Sequence, residues 1–70
     1  MFYTVLEIQK LENGTKATLA TAHDDYYEAL SKYYSVLSAA ATNGIPYHAA
    51  YLIDSKRGVR ESKIFDRTEE

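Results

Sequence analysis

The side chains of this 70-residue chain that could do chemistry are two His, ten Asp and Glu, eight Lys and Arg, and seven Tyr. His23 and His48 are separated by a predicted helix and fall in neither an HExxH nor an HxH spacing. With no Cys, three or four converging metal ligands would have to come from carboxylates, so no metal centre is expected. Thiolate nucleophiles and redox pairs are absent for the same reason. No serine sits in a GxSxG elbow and no GxGxxG or Walker-type loop occurs; Asn43-Gly44 and Arg57-Gly58 read as single turns. Asp24, Asp25 and Glu28 are the acids grouped closely enough for acid and base work, and helix capping explains them. These absences predict a protein that is not an enzyme and carries no cofactor.

Binding chemistry is better represented. Residues 1 to 55 hold three Lys against six acids, whereas residues 56 to 67 hold five basic residues against two acids. Lys56, Arg57, Arg60, Lys63 and Arg67 therefore form a local excess of cations. Such a stretch either serves as a solvated strand or meets phosphate and carboxylate, for which arginine offers a two-pronged donor. Aromatic residues make up 13% of the chain and are all Tyr and Phe, a bias toward rings with one wet end. Tyrosine rings can stack on a nucleobase while the basic residues meet its phosphates. The residues expected to line a ligand site are Tyr27, Tyr34, His48, Tyr51, Lys56, Arg57 and Arg60.

The elements that must position these side chains follow from periodicity. Residues 2 to 11 alternate, with Phe2, Leu6 and Ile8 on one side and Glu7 and Gln9 on the other, the pattern of a half-buried strand. Asn13-Gly14 follows, the dipeptide favoured in a two-residue type I′ turn, and would set Ile8 opposite Leu19, Leu6 opposite Thr21 and Glu7 opposite Ala20. A second strand of small side chains runs from Lys16 to Ala22 and would let a helix or a second subunit approach closely. Asp25 with Glu28 has the spacing of a capping box, and Tyr26, Leu30, Tyr33, Leu37 and Ala40 form an apolar stripe at helical spacing. Asn43-Gly44 with Pro46 ends the helix, predicted over residues 25 to 43. Tyr27, Tyr34 and Val36 lie off that stripe, which makes Tyr27 and Tyr34 candidates for an oligomer interface or a ligand rim. YHAAYLI, residues 47 to 53, reads as a strand apolar on both sides, the pattern of a central or doubly covered strand, Asp54 to Gly58 as a turn, and Val59 to Phe65 as a charged return strand before a frayed tail. The order predicts one α+β domain over residues 1 to 70: β-β-α-β-β, an antiparallel four-stranded sheet of two hairpins with one helix packed across it.

Composition bounds the rest. A chain of this length buries only about 60% of the surface its unfolded form exposes, so self-association is the expected source of further stability. A net charge of −2 argues against a binder of DNA or RNA. Apolar stretches are far shorter than the roughly 20 residues that span a bilayer, and the N-terminus lacks a signal-peptide layout, so a cytoplasmic protein without membrane association is expected.

The opening strand ending in Asn13-Gly14, the helix segment EALSKYYSVL at 28 to 37, PYHAAYLID at 46 to 54, and the Gly58 return strand closing on KIF at 63 to 65 together resemble a group of small proteins. These are chains of about 70 residues encoded by phages and prophages of Gram-positive bacteria. No catalytic motif comes with the resemblance. It implies the cytoplasm of an infected or lysogenic bacterium, and the class of phage inhibitors that sequester nucleotide-derived signals of antiviral defence in pockets between subunits. The expected function is that of a non-enzymatic homo-oligomer, a homodimer or higher, binding a small anionic nucleotide-type ligand. The alternatives are a protein-contact module, either an accessory phage protein or an inhibitor of a host protein, and, third, a small nucleotide hydrolase.

Overall fold

The structure, a computed structural model, describes residues 2–67. Strand β1 (Tyr3–Lys10) leads to β2 (Lys16–His23), helix α1 (Tyr26–Thr42), β3 (Tyr47–Asp54) and β4 (Gly58–Asp66). The strands form one antiparallel sheet in the order β2-β1-β3-β4, the predicted α+β arrangement of two hairpins and a helix. The helix begins and ends where its capping residues require. Asp25 stands in an extended conformation and its carboxylate accepts from the Glu28 amide at 3.2 Å, while Asn43 caps the far end and Gly44 turns the chain away with a φ of +71°.

The first hairpin departs from the expected register, and the reason is local. Asn13 does not adopt the positive φ that a type I′ turn demands of both central residues; Gly14 alone does, at +86°. The Leu11 amide donates to the Thr15 carbonyl at 2.8 Å and the Gly14 amide to the Leu11 carbonyl at 2.9 Å, closing a three-residue loop with glycine in the left-handed position. The Asn13 side chain accepts from the Thr15 amide at 2.9 Å and stabilises this alternative. Pairing therefore shifts by one residue: Leu6 faces Ala20, Glu7 faces Leu19 and Ile8 faces Thr18. Directly paired residues share a face, so the shift transfers Leu19 from the Ile8 side of the sheet to the Glu7 side.

Helix α1 covers that Glu7 side. The core consists of Val5, Ala50 and Leu52 from the sheet against Ala29, Tyr33 and Val36 from the helix, with Tyr3, Tyr26, Leu30 and Leu37 partly buried around them. Val36, expected off the apolar stripe, lies in the core; the buried line of the helix is Ala29, Tyr33, Val36 and Ala40, rotated slightly from the stripe read in the sequence. Leu6 and Ile8 point away from the helix, toward a sheet face that no element among the described residues covers.

The C-terminal end is not frayed at its start. Asp66 belongs to β4, and Arg67 donates from its guanidinium to the carbonyls of Ile45 and Ala40 at 3.0 Å and of Ala41 at 3.3 Å. It thereby supplies the positive charge that the last helical turn lacks. The remainder of the predicted tail, Thr68 to Glu70, lies outside the described residues.

Candidate functional site

Asp54 organises the one place where predicted site residues gather. It closes β3 with a buried carboxylate, 2% exposed, whose Oδ1 accepts from the Lys56 amide at 2.8 Å. That bond folds the Asp54–Gly58 turn, sets the following residues around the carboxylate, and leaves Lys56 and Arg57 exposed. The ladder between β3 and β4 then slips at Leu52/Ile53: Leu52 pairs with Glu61 and Ile53 with Val59, so Arg60 is the extra residue of a β-bulge. A bulge re-aims a side chain, and here Arg60 turns toward the helix. Its guanidinium stands 3.5 Å from Asp54 Oδ2 and 4.9 Å from the centre of the Tyr26 ring. Among the described residues Oδ2 accepts no hydrogen bond, so Arg60 balances it by charge alone. The Lys56 amide holds the Asp54 carboxyl below the ordinary carboxylate range against the opposing effect of burial, helped by the Arg57 amide and the charges of Arg60 and Arg57. Tyr26 in turn meets Tyr27 edge to face at 5.4 Å, and Tyr27 is 74% exposed.

Tyr27, Lys56, Arg57 and Arg60 are thus brought to one end of the molecule. The other three predicted residues are not. Tyr34 lies on the outer side of the helix, its ring 5.6 Å from that of Tyr33. Tyr51 projects from the uncovered face of the sheet, paired across the ladder with Leu6 and Ser62. Lys63 and Arg67, counted with the basic stretch, lie against the Phe65 ring at 5.6 and 5.5 Å, which leaves Lys56, Arg57 and Arg60 as its patch-forming members.

His48 is buried between the helix C-terminus and β1. The Asn43 carbonyl oxygen accepts from the Ile45 amide at 3.1 Å, which leaves its NH2 to donate to His48 Nδ1 at 3.2 Å. Nε2 therefore carries the proton and donates to Glu7 at 2.5 Å. Glu7 also accepts from the Gln9 amide group at 2.9 Å. Burial pushes the Glu7 carboxyl upward, but Gln9, His48 and the charge of Lys32 outweigh it and hold the group below its ordinary value. With both ring nitrogens engaged and the residue 1% exposed, this imidazole ties elements together and is not presented to a substrate.

Two residues of the patch were read only as structural in the sequence, Tyr26 as core stripe and Asp54 as turn former. The signal for Asp54 lay in its spacing, two residues before Lys56 and six before Arg60. Elsewhere a shallow cavity of about 410 Å3 opens at one end of the uncovered face, between Ile8, Lys10, Lys16, Tyr47 and Asp66. Among the described residues no three His, Asp or Glu converge to hold a metal ion, and no helix is long and apolar enough to cross a membrane. The chain matches no protein-family model, no curated protein and no solved structure.

Proposed function

We propose that this chain is a non-enzymatic binding protein that works as a homo-oligomer and holds a small anionic, nucleotide-type molecule. In keeping with the resemblance to small phage proteins, that molecule would be a signalling nucleotide withdrawn from host antiviral defence. The observation that carries the reading is the Asp54-centred patch: three cations, Lys56, Arg57 and Arg60, beside the Tyr26–Tyr27 pair. An exposed Tyr27 ring offers a stacking surface for a base, and Arg57 and Lys56 offer exposed donors for phosphate. Arg60, stacked on Tyr26 and balanced by Asp54, is preorganised, so little ordering opposes its use.

The test is native mass spectrometry of the protein purified from bacterial lysate, followed by calorimetric titration with nucleoside phosphates. A bound species of nucleotide mass, returned intact after heat denaturation, fits sequestration; returned product would make the protein an enzyme. Arg57→Ala is the cleaner variant, because Arg60 also balances Asp54, and it should weaken binding by more than about 1 kcal/mol. Normal binding by Arg57→Ala would sink the site assignment. A second reading, a module that contacts another protein, is favoured by the apolar uncovered face of the sheet.

A further inference from the structure

The sheet carries a helix on one face only, yet its other face is the more apolar along β1. Leu6 and Ile8 are half-buried there by neighbouring side chains, and Val59 and Ile64 are 58% and 48% exposed. Eight-residue strands at about 3.3 Å per residue and four strands about 4.8 Å apart give a face of roughly 500 Å2. Two such faces together reach the about 1,000 Å2 that a specific interface needs.

Charge says what covers it. The last row of this face reads, across the sheet, Lys16, Lys10, Tyr47, Asp66. Lys10 and Lys16 are directly opposed, an unfavourable pairing within one copy, while the acid stands on the far edge strand. Turning a second sheet over about an axis parallel to the strands keeps every row in place and reverses its order. Asp66 of each copy then lies over Lys16 of the other, and Tyr47 over Lys10. The same operation sets the small residues of β2 over the large ones of β4, Thr18 over Ile64 and Ala22 over Val59, and sets Ile8 over Ala49. An axis perpendicular to the strands would instead press Lys16 onto Ala22.

We propose that a second copy of this chain docks on the uncovered sheet face about a two-fold axis parallel to the strands, giving a sandwich of two sheets with the helices outside. The inference rests on the homo-oligomer part of the function proposed above and specifies its partner surface. Sheets packed in this way lie nearly aligned, as in other face-to-face sandwiches.

The test uses Lys16→Glu and Asp66→Lys with the wild type, each checked for an unchanged far-ultraviolet circular dichroism spectrum and examined by sedimentation equilibrium at low salt. The wild type should be a dimer. Each variant alone faces two like-charge contacts and should associate about tenfold or more weakly. An equimolar mixture, one variant isotope-labelled, should recover wild-type affinity as a heterodimer, because both contacts are again of opposite charge. A dimeric wild type whose variants self-associate normally overturns this geometry and leaves the homo-oligomer standing. A monomeric wild type overturns both, and the nucleotide patch is then judged by the Arg57→Ala titration alone.

Discussion

Glu7 and Asp54 are the two carboxyls whose surroundings should make this molecule sensitive to acid. Both carboxyls are held below their ordinary range in the folded chain, Glu7 by Gln9, His48 and Lys32 against burial, and Asp54 by the Lys56 amide and its neighbours. A carboxyl whose folded value is depressed contributes stability that is fully present above its unfolded value and is lost as pH falls through the folded one. The protein should therefore lose stability on acidification below about pH 4 to 5, the ordinary carboxylate range. Glu7→Gln keeps an acceptor for His48 but removes the charge. It should lower stability at neutral pH and flatten the acid limb, as measured by urea unfolding across pH. An acid limb of unchanged slope in that variant would assign the sensitivity to Asp54 alone.

Among the elements, the helix is fixed at both ends by groups from outside its own sequence pattern as well as by its caps. Arg67 makes three hydrogen bonds to carbonyls at and beyond its C-terminal turn, and bonds of this charged kind contribute about 1.5–3 kcal/mol each when well formed. Arg67→Ala should cost about 2 kcal/mol in total, since water replaces part of what is lost at this partly exposed site. In a domain of this size that corresponds to a fall in Tm of about 8–16 °C. Arg67→Lys, with a point charge in place of the fork, should recover only part of it, and a Tm equal to wild type in Arg67→Ala would show that the caps suffice. The cap residues, the turn at Gly58 and the order of strands and helix were legible in the sequence because each depends on neighbours a few positions away. What escaped it depends on partners far along the chain. Asn13 could enter a type I′ turn or, as it does, accept from Thr15 and leave the positive φ to Gly14, and the choice shifts every pair between β1 and β2. Which side of β1 the helix covers is equally non-local: Val5 and the engaged Glu7 turn inward, and the more conspicuous Leu6 and Ile8 turn outward. Lys56, Arg57 and Tyr27 were legible as a cation and ring chemistry, whereas their meeting point, Asp54, depends on a bulge that only the paired strands define.

At the scale of the whole molecule, one helix on one sheet is an incomplete sandwich. The radius of gyration is 12.4 Å against about 11 Å for a compact chain of this length, and the extents are 38 × 18 × 16 Å. A second sheet stacked on the uncovered face adds thickness along a short dimension and buries side chains that the monomer leaves wet. If that stacking supplies stability the small core lacks, folding and association are linked, and dimer unfolding must depend on protein concentration. Each tenfold rise in concentration should add about 1.4 kcal/mol per dimer, or about 0.7 kcal/mol per protomer. That should raise Tm by about 3–6 °C per tenfold step. Ile64→Lys places a charge on the edge strand of the proposed contact, over Thr18 of the other copy, while leaving the helix-side core of Val5, Leu52, Tyr33 and Val36 untouched. It should unfold at a lower Tm that no longer moves with concentration, still in one cooperative transition. A wild-type Tm independent of concentration would mean that the helix-side core alone holds the fold, and would overturn the linkage between folding and association.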